Sequence, residues 1–180
     1  MYREKIFNGR EIELFEMLEA REARVAKQNE LLNQFPEASL LSFTLNIPGP
    51  VKNSSVLKKI FDQICQDIEE TNQDLHCLSK EIYHYDTGNQ AFYLWQTDPA
   101  KLKKRMINYE DSADYGRLCD LDILYKDHHH IKSLSRSDLD YPMRKCFICG
   151  LDAKICSRSR AHSVSRLQVK IEELIHAKGV

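Results

Sequence analysis

The chain has 180 residues, 42% hydrophobic and 29% charged, with a formal net charge of −1. That composition fits a soluble globular protein with one core and excludes disordered, fibrous and membrane-spanning classes. The near-neutral balance gives no global sign of a nucleic-acid partner, and six cysteines without an export signal in Met1–Arg10 read as reduced thiols or metal ligands in a cytoplasmic protein.

Residues 11–34 mix charge with Leu14, Phe15, Leu18 and Val25, a spacing that predicts a helix carrying an apolar stripe and ended by Phe35 and Pro36. Leu41, Phe43, Leu45 and Ile47 then alternate with Ser42, Thr44 and Asn46, the pattern of a strand buried on one face. Pro48, Gly49, Pro50 and Lys52 form a rigid loop, after which Ser54 or Ser55 caps a helix whose Val56, Ile60, Ile64 and Ile68 recur every four residues. Residues 81–86 and 90–96 read as a hairpin around Asp86-Thr87-Gly88-Asn89.

Asp98 as N-cap and Pro99 at the first helical position open a helix running to about Tyr109. A strand over 118–125 follows, then a polar turn with His128, His129 and His130, a short strand near Ile131 and a loop to Cys156. The last helix turns Val164, Leu167, Ile171 and Leu174 inward. This β-α-β-β-α-β order predicts an α+β fold, a mixed sheet of split-βαβ or nucleotidyltransferase-palm type with helices packed on it. The expected organisation is a single domain, with an N-terminal helix in 1–36, the sheet core in 37–143 and a Cys-rich basic segment with the last helix in 144–180.

The segment from Gly116 to Leu124 carries the most chemistry. In a strand, Asp120 and Asp122 project from one face while Cys119, Leu121, Ile123 and Tyr125 form the apolar opposite face. Two carboxylates so placed suit Mg²⁺, which is held by one or two carboxylates together with substrate phosphates and serves phosphoryl transfer. Gly116 allows close backbone approach and Arg117 offers a planar fork for phosphate oxygens, or the two form a plain turn with a surface arginine. Gly49 and Lys52 lie in a loop leading to a helix N-terminus, a setting that favours anions, or the loop is merely structural.

Cys146, Cys149, Cys156 and His162 have the donor types of a compact zinc knuckle, although their spacing is not that of a standard finger and the thiols can instead pack inward. His162 is also a candidate general base. Between Arg144 and Lys170 seven Lys or Arg stand against one acid, Asp152, so that Arg158, Arg160 and their neighbours suit a polyphosphate ligand or an acidic partner protein. Asp138 and Asp140, a second Asp-x-Asp in a Ser- and Arg-containing loop, read as cap or turn residues, with completion of a metal triad by one of them as the alternative.

The stretches Ser42-Phe43-Thr44 to Ser54, Gly116-Arg117-Leu118 with Asp120-Leu121-Asp122, and Arg144-Lys145-Cys146 with Cys149, Cys156 and His162 resemble, together and in this order, the apo-citrate lyase phosphoribosyl-dephospho-CoA transferases, also called holo-citrate lyase synthases. The resemblance implies a nucleotidyltransferase-type reaction between 2'-(5''-triphosphoribosyl)-3'-dephospho-CoA and a serine of the acyl carrier subunit of citrate lyase, with loss of pyrophosphate. It implies Asp120 and Asp122 as Mg²⁺ ligands and Arg117 and Lys52 at the triphosphate. In general nucleotidyltransferases a Gly-Ser or Gly-Gly pair lies on a helix well before the acids, whereas Gly116 is four residues before Asp120 and is followed by Arg117. Two other readings stand beside it: the similar transferase of malonate decarboxylase, and a non-catalytic zinc-binding interaction module.

Overall fold

The computed structural model describes residues 5–178. Helix α1 (Leu14–Gln34) precedes β1 (Ser39–Leu45), α2 (Ser55–Thr71), β2 (Cys77–Tyr83), β3 (Gln90–Trp95), α3 (Pro99–Ser112), β4 (Cys119–Asp127) and β5 (His130–Leu134), and α4 (Ala153–Ser159) and α5 (Val164–His176) follow. The strands order as β2-β3-β1-β4-β5. Each crossover through α2 or α3 leaves room for one intervening strand, β3 in the first case and β1 in the second, which is the split-βαβ arrangement expected of an α+β fold. Because each intervening strand runs the opposite way, all four ladders are antiparallel, where a mixed sheet is the sequence expectation.

Local signals account for the helices on one face of the sheet. Ser54 Oγ accepts from Leu57 N at 3.2 Å and Asp98 Oδ1 from Lys101 N at 2.9 Å, satisfying amides that the first turn leaves free. Val56, Ile60, Ile64 and Ile68 of α2 are all buried, and Phe61 stacks on Phe43 of β1 with ring centroids 4.6 Å apart. Ile171 and Ile175 of α5 close the end of this core. Val164, expected to point inward, is exposed, because the first turn of α5 lies over the Pro48-Gly49 loop and only its later turns reach the core.

Helix α1 lies on the opposite face. Ile12 N donates to Pro50 O at 3.0 Å just before the helix, and at its far end Leu31 and Leu32 pack with Leu40, Phe92 and Leu94. The stripe singled out in the sequence faces water, with Leu14 75%, Phe15 66%, Leu18 46% and Val25 53% exposed. The side turned to the protein is instead Met17, Ala20, Arg24, Gln28 and Leu31, which recur every three or four residues and are half-buried or buried. This inner face is polar at its centre because the strands beneath it present Ser42, Asp120 and Asp122 rather than an apolar surface.

Strand β2 begins at Cys77 and ends at Tyr83, earlier at both ends than its aromatic residues suggest, and α4 replaces part of an expected loop. His128, with φ +54°, and His129 turn between β4 and β5. Asp138 accepts from Ser135 N at 2.8 Å as a local cap. Among the described residues no helix is long and apolar enough to cross a membrane.

Candidate active site and metal-binding cluster

Strand β4 alternates as its sequence predicts. Cys119, Leu121 and Ile123 are buried in the core, while Asp120 and Asp122 open to the face covered by α1. Register places Asp120 across from Thr44 and Asp122 across from Ser42 on β1. Gln28 Nε2 of α1 donates to Ser42 Oγ at 2.9 Å, so the helix is pinned beside the acid pair. Neither carboxylate has a hydrogen bond or ion pair among the described residues.

Asp122 is open to water yet crowded by protein. This desolvation pushes its pKa above the ordinary carboxylate value, the Asp120 charge adds to the shift, and Lys103 and Arg24 oppose it. Lys103 is buried and donates Nζ to Leu121 O at 2.8 Å; burial lowers its pKa while Glu110, Asp122 and Asp120 hold the charge in place. Two acids with nearby cations and no committed partner form a site that can take a divalent ion and the phosphates it carries.

The edge of β4 beside this pair has an unusual closure. Strand β5 pairs with β4 only from Ile123 onward, which leaves the carbonyls of the preceding residues without a ladder. Arg144 donates Nη1 to Cys119 O at 2.7 Å and Nη2 to Arg117 O at 2.8 Å, and Lys103 takes Leu121 O. Arg144 also approaches Glu110 at 3.7 Å, a buried carboxylate that accepts from Arg136 at 2.6 and 3.1 Å.

Other predicted site residues have visible structural engagements. Arg117 donates to Lys145 O at 2.8 Å and lies 4.7 Å over the Phe147 ring. A Cβ on Gly116 would meet Tyr109 O at 2.4 Å and Glu110 O at 2.7 Å, so its lack of a side chain serves contact with α3. Gly49 has φ +91° and packs under Gln168 and Val164 of α5. Lys52 donates to Ile47 O at 2.7 Å; burial lowers its pKa, and Arg21 adds to that effect. Arg158 and Arg160 are exposed on and just after α4.

Arg24 and Lys103 escape a sequence reading of the site, as does the strand-edge role of Arg144, which the sequence offers only as part of a basic segment. Arg24 is legible only through its spacing to Gln28 and Leu31 on one helical face, and the other two depend on where β5 stops.

Cys146, Cys149, Cys156 and His162 converge, their ligand atoms all lying within 4.8 Å of one another, and they could hold a metal ion such as zinc. His162 Nε2 is 3.3 Å from Cys149 Sγ, so the ring faces the thiols.

Fold and site together define an α+β protein whose sheet carries an uncommitted acid pair on one strand and a separate Cys₃His cluster at the edge of that strand. The family model described as apo-citrate lyase phosphoribosyl-dephospho-CoA transferase matches residues 12–178, and the chain belongs to that family of transferases. A probable apo-citrate lyase phosphoribosyl-dephospho-CoA transferase of Streptococcus pyogenes serotype M18 is 39% identical over 178 residues, covering 98% of this chain and 92% of the relative. A protein of the same description from Vibrio cholerae serotype O1 (strain M66-2) is 38% identical over 168 residues, covering 92% of each. Protein CitXG of Leuconostoc mesenteroides subsp. cremoris is 35% identical over 170 residues, which span 93% of this chain and 36% of that longer protein.

Proposed function

We propose that this transferase attaches the phosphoribosyl-dephospho-CoA group of 2'-(5''-triphosphoribosyl)-3'-dephospho-CoA to a serine of the apo acyl carrier subunit of citrate lyase, in the cytoplasm and without a nucleic-acid partner. The serine oxygen forms a bond to the phosphorus nearest the ribose, the bond from that phosphorus to the bridging oxygen breaks, and pyrophosphate leaves. The serine proton passes to a base or to water.

The observation that carries this reading is the pair Asp120 and Asp122 beneath α1, without a hydrogen bond or ion pair among the described residues, in a member of this family. The two carboxylates would hold Mg²⁺. When bound, that ion neutralises charge on the triphosphate and on the departing pyrophosphate. Arg24, on the inner face of α1, would attract the same anion, and the family resemblance assigns Arg117 to it as well. Gly49, Gly116 and Lys52 support this site through packing and loop anchoring, while exposed Arg158 and Arg160 are offered to the acidic surface of a carrier or to the precursor. The malonate decarboxylase client and a purely non-catalytic module are less well supported, since the family description names citrate lyase.

Intact-mass analysis of purified apo carrier subunit, after incubation with this protein, Mg²⁺ and the precursor, tests the reading. A mass increase equal to the prosthetic group is the expected result. An unmodified carrier in that mixture would refute the proposed activity.

A further inference from the structure

We propose that Cys146, Cys149, Cys156 and His162 bind one structural Zn²⁺ that clamps the segment carrying Arg144 against the open edge of β4, and that Arg144 is thereby a positioning residue for Asp120. The metal part stands on the cluster alone; its effect on transfer rests on the function proposed above.

The four ligands come from separate pieces of chain brought together by a small fold. Residues 145–152 form a tight hairpin in which Cys146 N donates to Leu151 O at 2.7 Å, with Lys145 bridged to Asp152 and Gly150 at φ +71° in the turn. Cys156 follows on α4, and His162 lies in the link to α5. Tetrahedral zinc with Zn–S bonds of about 2.3 Å separates its sulfurs by roughly 3.8 Å. Donor atoms all within 4.8 Å therefore need little movement to surround one ion.

Three further observations favour a metal over simple packing. Ile148 N points at Cys146 Sγ at 3.4 Å, a donor that suits a thiolate. His162 turns Nε2, not the buried Nδ1 that is unpartnered among the described residues, toward Cys149 Sγ at 3.3 Å, so a ring nitrogen already points into the thiol group. Between residues 144 and 163 only Cys146 and Cys156 are buried, while Leu151 and Ile155 are each 63% exposed, so this stretch has almost no apolar core of its own. A short segment without a core needs a cross-link, and a bound metal contributes folding free energy directly.

The clamp reaches the acid pair through a reciprocal set of bonds. Arg144, two residues before the first ligand, bonds Arg117 O and Cys119 O, and Arg117 bonds Lys145 O and stacks on Phe147. These contacts hold the backbone on the N-terminal side of Asp120, where no β5 partner exists. Outer contacts of this kind typically change metal affinity or activity by about 10–100-fold when lost.

The test uses the intact purified protein. Elemental analysis should return close to one zinc per chain, Co²⁺-substituted protein should show thiolate-to-cobalt charge-transfer absorption, and Cys149→Ser, at an exposed position, should lose both. Stripping zinc with a chelator should raise the Mg²⁺ concentration needed for half-maximal transfer by about tenfold. Arg144→Gln should do the same with zinc retained, and Arg144→Lys should recover part of the loss. For Arg144→Gln, which leaves the zinc cluster and α4 intact, the KM for the carrier should stay unchanged. Protein that never holds zinc, or whose mass reveals a Cys149–Cys156 disulfide, would overturn the metal site. Full zinc occupancy with a Mg²⁺ requirement indifferent to both zinc removal and Arg144→Gln would overturn the positioning role. If wild-type protein binds zinc but transfers nothing, the function proposed above fails while the metal site stands.

Discussion

Ser42 on β1 stands directly across the ladder from Asp122 on β4, and the Ser42 hydroxyl is held by Gln28 of α1 at 2.9 Å. One buried hydrogen bond thus fixes the helix over the strand pair that carries both carboxylates. Arg24, one turn before Gln28 on the same inner face, is close enough to oppose the raised pKa of Asp122.

Asp122 costs stability when it ionises. Desolvation first, and the Asp120 charge second, lift its folded-state pKa above the value of 3.8 for a free aspartate. Below that value the carboxyl is neutral in both states and the cost is absent. As pH rises through the folded pKa the unfolded chain has already released the proton, and the folded state is penalised. Asp122→Asn should therefore raise the urea midpoint at pH 7, and the gain should vanish near pH 3.5. Adding Mg²⁺ should stabilise wild type by mass action and leave Asp122→Asn unmoved. A variant no more stable than wild type at pH 7 would contradict the crowding of this carboxylate.

Arg24→Gln removes the cation facing the pair and keeps a polar side chain on α1. It should lower kcat/KM for the precursor by about tenfold, equivalent to ~1.4 kcal/mol, and the deficit should shrink as salt rises because salt already screens the wild-type attraction. Steady-state kinetics at low and high ionic strength check this. Equal kinetics for the two proteins would remove Arg24 from the site.

Gly116 separates a packing role from a substrate role. The Cβ of Gly116→Ala would fall 2.4 Å from Tyr109 O and push the turn before β4 away from α3. Overpacking of this sort costs about 1–3 kcal/mol, measurable by chemical denaturation. A stable variant with a raised precursor KM would instead make Gly116 a substrate contact.

Much of the site was legible in the sequence because strand alternation is a strict rule. Cys119, Leu121 and Ile123 against Asp120 and Asp122 specify two faces without help from the rest of the fold. The caps at Ser54 and Asp98 were legible for the same local reason. Helix α1 was misleading because Leu14, Leu18 and Val25 form a regular stripe, yet the face that meets the sheet is the polar one containing Arg24 and Gln28. The strand-edge roles of Lys103 and Arg144 were invisible because they depend on unpaired carbonyls, and β5 pairs β4 only from Ile123 onward, a matter of register that no local pattern encodes. The antiparallel ladders likewise follow from which strand fills each split, which element order alone leaves open.

The central claim is that Asp120 and Asp122 together hold the ion on which transfer depends. Asparagine at either position keeps the shape and removes the charge. The direct measurement is the initial rate of prosthetic-group transfer to apo carrier, at saturating Mg²⁺, for Asp120→Asn and Asp122→Asn proteins whose fold is verified by circular dichroism. Because a bound metal supplies several kcal/mol of transition-state stabilisation and each ~1.4 kcal/mol is tenfold in rate, each variant should be slower by on the order of a hundredfold or more. Folded variants that transfer the group at near wild-type rates would contradict the account.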